Sequence, residues 1–124
     1  MAIWSLVEAL DFWNVAKVQL GSHGFLCGIY GSVLEGQGRD LDLLIIPKRI
    51  NTSIQFAAED LATAHRAKLS EAYEGIMGTR AYLLTLSSGH IVDLQFYKPR
   101  GPRDAEELYL SLGADSTPAK GTTR

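Results

Sequence analysis

With Cys27 as its single cysteine, the chain has no means of forming an internal disulfide, and nothing points to an oxidising compartment. A cytoplasmic setting is therefore expected. No apolar run approaches the roughly 20 residues that a membrane-spanning helix needs. The first residues carry Glu8 but no basic stretch ahead of their apolar positions, so no secretory leader and no membrane association are expected. Basic excess is lacking too, since 12 Lys and Arg stand against 14 Asp and Glu, a formal net charge of −2. Chains that hold nucleic acid mainly through its phosphates carry a basic surplus or stripe. RNA binding by overall charge is disfavoured, and only a local basic site remains open.

What is present is enough for one core and no more: 124 residues, 46% hydrophobic and 21% charged. Ile3, Leu6, Val7, Leu10 and Trp13 recur at helical spacing and predict an opening helix that Gly21 and Gly24 end. Phe25 to Tyr30 and Leu41 to Ile46 are short apolar runs, the second closed by Pro47, and read as buried strands. A second helix is expected between Asn51 and Tyr73, opened by a capping box of Thr52 with Gln55, its inner stripe being Ile54, Ala58, Leu61, His65 and Leu69. Ala81 to Leu86 and Ile91 to Tyr97 flank Ser87-Ser88-Gly89-His90 and predict a β-hairpin, with Pro99 and Pro102 closing the strand region. Asp104 to Leu112 is a candidate last helix. The order predicts an α+β (mixed α/β) fold, with one domain over 1–112 built on a small mixed sheet with helices on one side, and a mobile tail over 113–124.

Asp40 and Asp42 stand at the head of an apolar strand. Alternation projects both carboxylates from one face while Leu41 points to the other. Two such carboxylates repel, and a divalent cation between them resolves the repulsion. All-oxygen ligation suits Mg²⁺ or Mn²⁺ better than zinc. Asp93 adds a third carboxylate, on the polar face of Ile91 to Tyr97 beside Gln95. Three carboxylates on two strands are the kind of ligand set that holds a pair of ions about 3.5 to 4 Å apart for phosphoryl or nucleotidyl transfer. Gly31-Ser32 follows the first apolar run, where a glycine backbone and a serine hydroxyl suit close approach to phosphate. Gly36 and Gly38 are expected to keep the link to Asp40 flexible. Arg39 is a candidate phosphate fork, or else a surface residue balancing its acidic neighbours.

Gly31-Ser32, Asp40-Leu41-Asp42 with Leu43-Leu44-Ile45-Ile46, and Asp93 on a later strand together resemble the signature of the DNA-polymerase-β-like nucleotidyltransferase superfamily. The resemblance spans about Leu20 to Tyr97. In size and element order the chain is most similar to the minimal prokaryotic nucleotidyltransferases, some of which are antitoxin partners of helical RNase toxins and modify protein hydroxyls. It implies that Asp40, Asp42 and Asp93 hold two Mg²⁺ ions and that Gly31 and Ser32 hold the phosphates of a nucleoside triphosphate. A nucleoside monophosphate would then pass to a hydroxyl on a protein, an RNA 3′ end or a small molecule, with release of pyrophosphate. A catalytically inactive binding or regulatory module is the alternative. Seven residues separate Ser32 from Asp40, fewer than is common in the family, so the intervening helix is expected to be about a turn shorter.

Lys98, Arg100 and Arg103 form a small basic cluster that would receive a triphosphate or an RNA backbone, or is simply a solvated loop. No nucleophile elbow surrounds any serine, and Cys27 falls within a buried strand, so covalent catalysis has little support. Trp4 and Trp13 are expected on the first helix, facing the core or a partner, and a second copy of the chain is one such partner. A chain this short lacks an added helical domain to hold an acceptor, so a partner protein or a second copy is expected to complete the site.

Overall fold

The computed structural model describes residues 2–49 and 52–98. Strand β1 (Trp4–Ser5) leads straight into helix α1 (Leu6–Gly21). Ser5 starts that helix because its hydroxyl accepts from the Glu8 N–H at 3.1 Å while the Glu8 carboxylate accepts from the Ser5 N–H at 3.0 Å. This reciprocal cap satisfies two otherwise orphaned donors and is worth about 1 kcal/mol. The helix buries Ala9, Ala16 and Leu20, with Phe12 and Trp13 partly buried beside them. The expected stripe was therefore only partly right. Ile3 precedes the helix and Val7 points outward, 69% exposed, because small alanines define the side that lies close against the sheet. Trp4 sits on β1 rather than on the helix, buried, with its indole N–H donating to the Ile91 carbonyl at 2.8 Å.

Next come β2 (Phe25–Tyr30), a 3-10 turn (Ser32–Glu35), β3 (Gln37–Gly38) and β4 (Asp40–Pro47). The expected flexible link between Ser32 and Asp40 is instead pinned. Strand β3 pairs with β1, and the Gly36 carbonyl accepts from the Leu6 N–H at 3.0 Å. Gly36 and Gly38 have structural reasons to be glycine: Gly36 has φ +124°, and a β-carbon at Gly38 would press on the Ser32 Oγ at 2.8 Å.

Helix α2 (Ile54–Ala64) is shorter than expected and is capped differently. Ser53, not Thr52, accepts from the Phe56 N–H, while Gln55 bonds Glu59 and accepts from the Tyr82 hydroxyl. The helix stops at His65 because Arg66 takes a left-handed φ of +52°. Ala58 and Leu61 lie inside as expected, together with Ala57 and Ala62. The segment predicted as the rest of that helix forms two minimal strands, β5 (Lys68–Leu69) and β6 (Tyr73–Glu74), with Leu69 on the first. The hairpin of β7 (Arg80–Thr85) and β8 (Ile91–Phe96) forms where expected, closed by Gly89 at φ +91° and by the Leu86 N–H donating to the His90 carbonyl at 2.9 Å.

Among the described residues six strands make the main sheet, in the order β2-β4-β8-β7-β5 with β6 also paired to β7. The β4–β8 pair is parallel and the others antiparallel, so the sheet is mixed, as anticipated. Leu41, Leu43 and Ile45 of β4 and Val92, Leu94 and Phe96 of β8 share one core with the buried residues of α1 and α2. Each such side chain contributes about 1.5 to 3 kcal/mol by burial. Both helices thus cover one face, and alternation turns Asp40, Asp42, Asp93 and Gln95 to the other. The candidate last helix at 104–112, the tail at 113–124, Pro99, Pro102, Arg100 and Arg103 lie outside the described residues.

Candidate functional site

Parallel pairing of β4 with β8 sets Asp42 directly opposite Asp93, and antiparallel pairing of β2 with β4 sets Tyr30 opposite Asp42. Asp40 stands one pleat before Asp42, opposite Ile91. All three carboxylates are half-buried. The crowding has an electrostatic consequence: burial first, then the charges of Asp93 and Asp40, push the Asp42 carboxyl up to about 6. The same surroundings push the Tyr30 phenol up to about 12, by burial and then by the charges of Asp42 and Asp93, so it stays neutral.

Gly31 closes β2 at φ +92°, and a β-carbon there would overlap the Asp42 Oδ2 and lie 3.2 Å from its Cγ. The glycine therefore makes room for an acid of the site, a reason more immediate than approach to phosphate. Ser32 opens the 3-10 turn and is exposed, and Arg39 is exposed immediately before β4. The turn is only four residues long, as the short Ser32-to-Asp40 spacing implied. The structure thus brings Gly31, Asp42 and Asp93 together, with Asp40 two residues before Asp42 on the same strand, while Ser32 and Arg39 are exposed neighbours in sequence of Gly31 and Asp40.

Asp93 is held from the side by two residues that sequence patterning did not mark as functional. The Tyr73 hydroxyl donates to the Asp93 Oδ1 at 2.5 Å, and the Gln95 side-chain N–H donates to the same oxygen at 2.7 Å. Burial and that carboxylate push the Tyr73 phenol well above its ordinary range, so it too is neutral. Gln95 is buried, and its Oε1 accepts from the Ile76 N–H at 3.2 Å and from the Thr79 hydroxyl. A β-carbon on Gly75 would collide with this amide, so the 75–79 loop is fitted around it. The placement of Gln95 on the Asp93 face was visible from alternation. That of Tyr73 was masked by an apparent helix.

Fit to a divalent cation has two sides. The donor set is all carboxylate and half-buried, and the raised Asp42 marks a place where positive charge is welcome. Against this, among the described residues no three His, Cys, Asp or Glu side chains converge as a ready-formed metal centre. The set is right in kind for Mg²⁺ or Mn²⁺, and one oxygen of Asp93 is already taken by protein donors.

Burial pushes the Cys27 thiol up to about 12, so it is inert at neutral pH. His65 Nε2 donates to the Gln19 side-chain oxygen at 2.7 Å and its ring lies tilted against Phe12, its basicity lowered by burial. Trp13 is half-buried and donates to the Cys27 carbonyl at 2.9 Å. Lys98 is exposed just past β8. Among the described residues no helix is long and apolar enough to cross a membrane.

No protein-family profile matches the sequence. No curated protein matches it either. Solved structures do match its fold. A cytoplasmic RNA terminal U-transferase superposes on 87% of this chain with a TM-score of 0.54 and 12% identity. Terminal uridylyl transferase 4 from Trypanosoma brucei superposes on 84% of it, with a TM-score of 0.53 in the form with bound CTP and 0.52 in the form with bound GTP, again at 12% identity. This chain spans 33% to 39% of the length of those proteins. At that identity the likeness establishes the fold alone, a mixed α+β domain with the architecture these structures share.

Proposed function

We propose that the domain is a divalent-metal-dependent nucleotidyltransferase that moves a nucleoside monophosphate from a nucleoside triphosphate to a hydroxyl and releases pyrophosphate. The observation that carries this reading is the pairing of Asp42 with Asp93 across parallel strands, with Gly31 packed against Asp42, on a sheet face that the helices leave clear. Asp40, Asp42 and Asp93 would hold the metal, two Mg²⁺ ions in the first instance, with Mn²⁺ as a substitute. Such ions supply charge neutralisation at the phosphates.

The chain's own groups do the rest. Gly31, Ser32 and Arg39 bind the triphosphate and orient it, through backbone and hydroxyl donors and a guanidinium fork. Asp93 accepts the proton of the acceptor hydroxyl as the new bond forms. Binding of the phosphates in line with that hydroxyl provides most of the acceleration, because nucleotidyl transfer is mainly a problem of positioning and charge. The acceptor is a protein hydroxyl, an RNA 3′ end or a small molecule, brought by a partner protein or by a second copy of the chain. The setting is cytoplasmic.

A second reading, a nucleotide-binding or regulatory module without turnover, draws on one observation: the Oδ1 of Asp93 is occupied by Tyr73 and Gln95. Incubation with each of the four α-³²P ribonucleoside triphosphates, with and without Mg²⁺, against bulk RNA and host-cell lysate separates the two. Metal-dependent label on any acceptor supports the transferase. Nucleotide binding by calorimetry with no label supports the module.

A further inference from the structure

Tyr73 lies on a strand of two residues, with its residue surface 39% exposed, yet its oxygen is tightly held. The hydroxyl donates to the Asp93 Oδ1 at 2.5 Å and lies 3.4 Å from the Gln95 amide nitrogen, which donates to it. Gln95 in turn is locked by the Ile76 N–H and the Thr79 hydroxyl, so the phenol oxygen and the carboxylate are fixed relative to each other. Hydrogen-bond contact between a hydroxyl and a carboxylate is the arrangement that general-base activation of an acceptor requires. Here the acceptor is part of the chain.

We propose that the protein nucleotidylates itself at Tyr73, using a nucleoside triphosphate as co-substrate; the inference rests on the transferase reading above. The Tyr73 oxygen forms a bond to the α-phosphorus. The bond from that phosphorus to the bridging oxygen of the β-phosphate breaks, and pyrophosphate leaves with the electron pair. The phenolic proton passes to the Asp93 Oδ1. The product is a tyrosyl phosphodiester of the nucleoside monophosphate. An acceptor held in place needs no encounter with the site, and fixed partners gain an effective concentration that a dilute external hydroxyl does not match. Each chain offers this hydroxyl once, so the reaction saturates at an amount equal to the protein. The adduct also replaces the Tyr73–Asp93 hydrogen bond and stays beside the carboxylate that an external acceptor must reach.

Intact-mass spectrometry of the full chain after incubation with each ribonucleoside triphosphate and Mg²⁺ or Mn²⁺ tests this, with RNA and host-cell lysate tested in parallel as external acceptors. The expected result is a gain of one nucleoside monophosphate, mapped to the peptide that carries Tyr73. It is lost in Tyr73→Phe and retained in Tyr30→Phe, the second tyrosine beside these acids. A metal-free readout is labelling of Tyr73 by a nucleoside bearing a 5′ sulfonyl fluoride in place of its phosphates, in EDTA, with protection by excess triphosphate. Label on external acceptors with an unmodified Tyr73, or an adduct on another residue, overturns the inference and leaves the transferase reading standing. Label on nothing overturns the transferase reading itself. Failure of the sulfonyl fluoride to reach Tyr73 overturns the placement.

Discussion

Asp42 and Asp93 face each other across the parallel pair β4 and β8, two like charges held as register neighbours in the middle of a sheet. Hydrophobic alternation on both strands leaves no choice in this, because sliding either strand by one residue would drive the acids into the core beneath α1 and α2. The repulsion is the cost of the site. With both carboxylates ionised, the pair lowers the stability of the fold.

Stability of the metal-free protein should fall as pH rises from about 4 to about 6. Folded Asp42 keeps its proton up to about 6, whereas in the unfolded chain it ionises in the ordinary carboxylate range. Across that window the unfolded state binds fewer protons, and stability declines with pH. Urea melts in EDTA at half-unit pH steps read the effect. In Asp42→Asn the decline should shrink, and at pH 7 the metal-free variant should be more stable than wild type by about 1 kcal/mol once screening at this half-exposed site is allowed for.

Gly31→Ala should destabilise the fold by about 2 kcal/mol, since it adds a left-handed backbone cost to a collision with the Asp42 carboxylate. Thermal melts measure the loss. Gly21→Ala, where nothing lies within 4 Å of the added carbon, should cost nothing or stabilise slightly and serves as the control.

The strand placement of the candidate site residues was legible in the sequence, and for identifiable reasons. Strands β2, β4, β7 and β8 announce themselves by alternating or continuous apolar residues bounded by Gly, Pro or Ser. The same alternation assigns Asp40, Asp42 and Asp93 to one face. What escaped was set by tertiary contact. Strands of two residues such as β6 carry no periodicity, so Tyr73 was absorbed into a helix that in fact stops at His65. The α1 stripe was misjudged because Ala9 and Ala16, not the larger Ile3 and Val7, make the close contact. Gly36 and Gly38 suggested slack where the chain is pinned, since the partner strand, β1, lies more than thirty residues away.

Gln95→Leu should cost about 2 to 3 kcal/mol, because it strands the Ile76 N–H and the Thr79 hydroxyl, which both donate to this buried amide. It also removes the Gln95 N–H that donates to Asp93 Oδ1. Hydrogen exchange should show the 75–79 backbone losing protection before the β4–β8 ladder does. An unchanged exchange pattern there would mean that the amide does not fasten the loop.

On the proposed function, nucleotidyl transfer depends on the Asp42–Asp93 pair. The most direct measurement compares wild type with Asp42→Asn in Mg²⁺-dependent transfer of label from α-³²P nucleotides, at matched folded fractions checked by circular dichroism. Loss of transfer by at least a hundredfold, in a variant that melts no lower than wild type, is the predicted result. Transfer at the wild-type rate by Asp42→Asn would mean that this carboxylate has no part in the reaction.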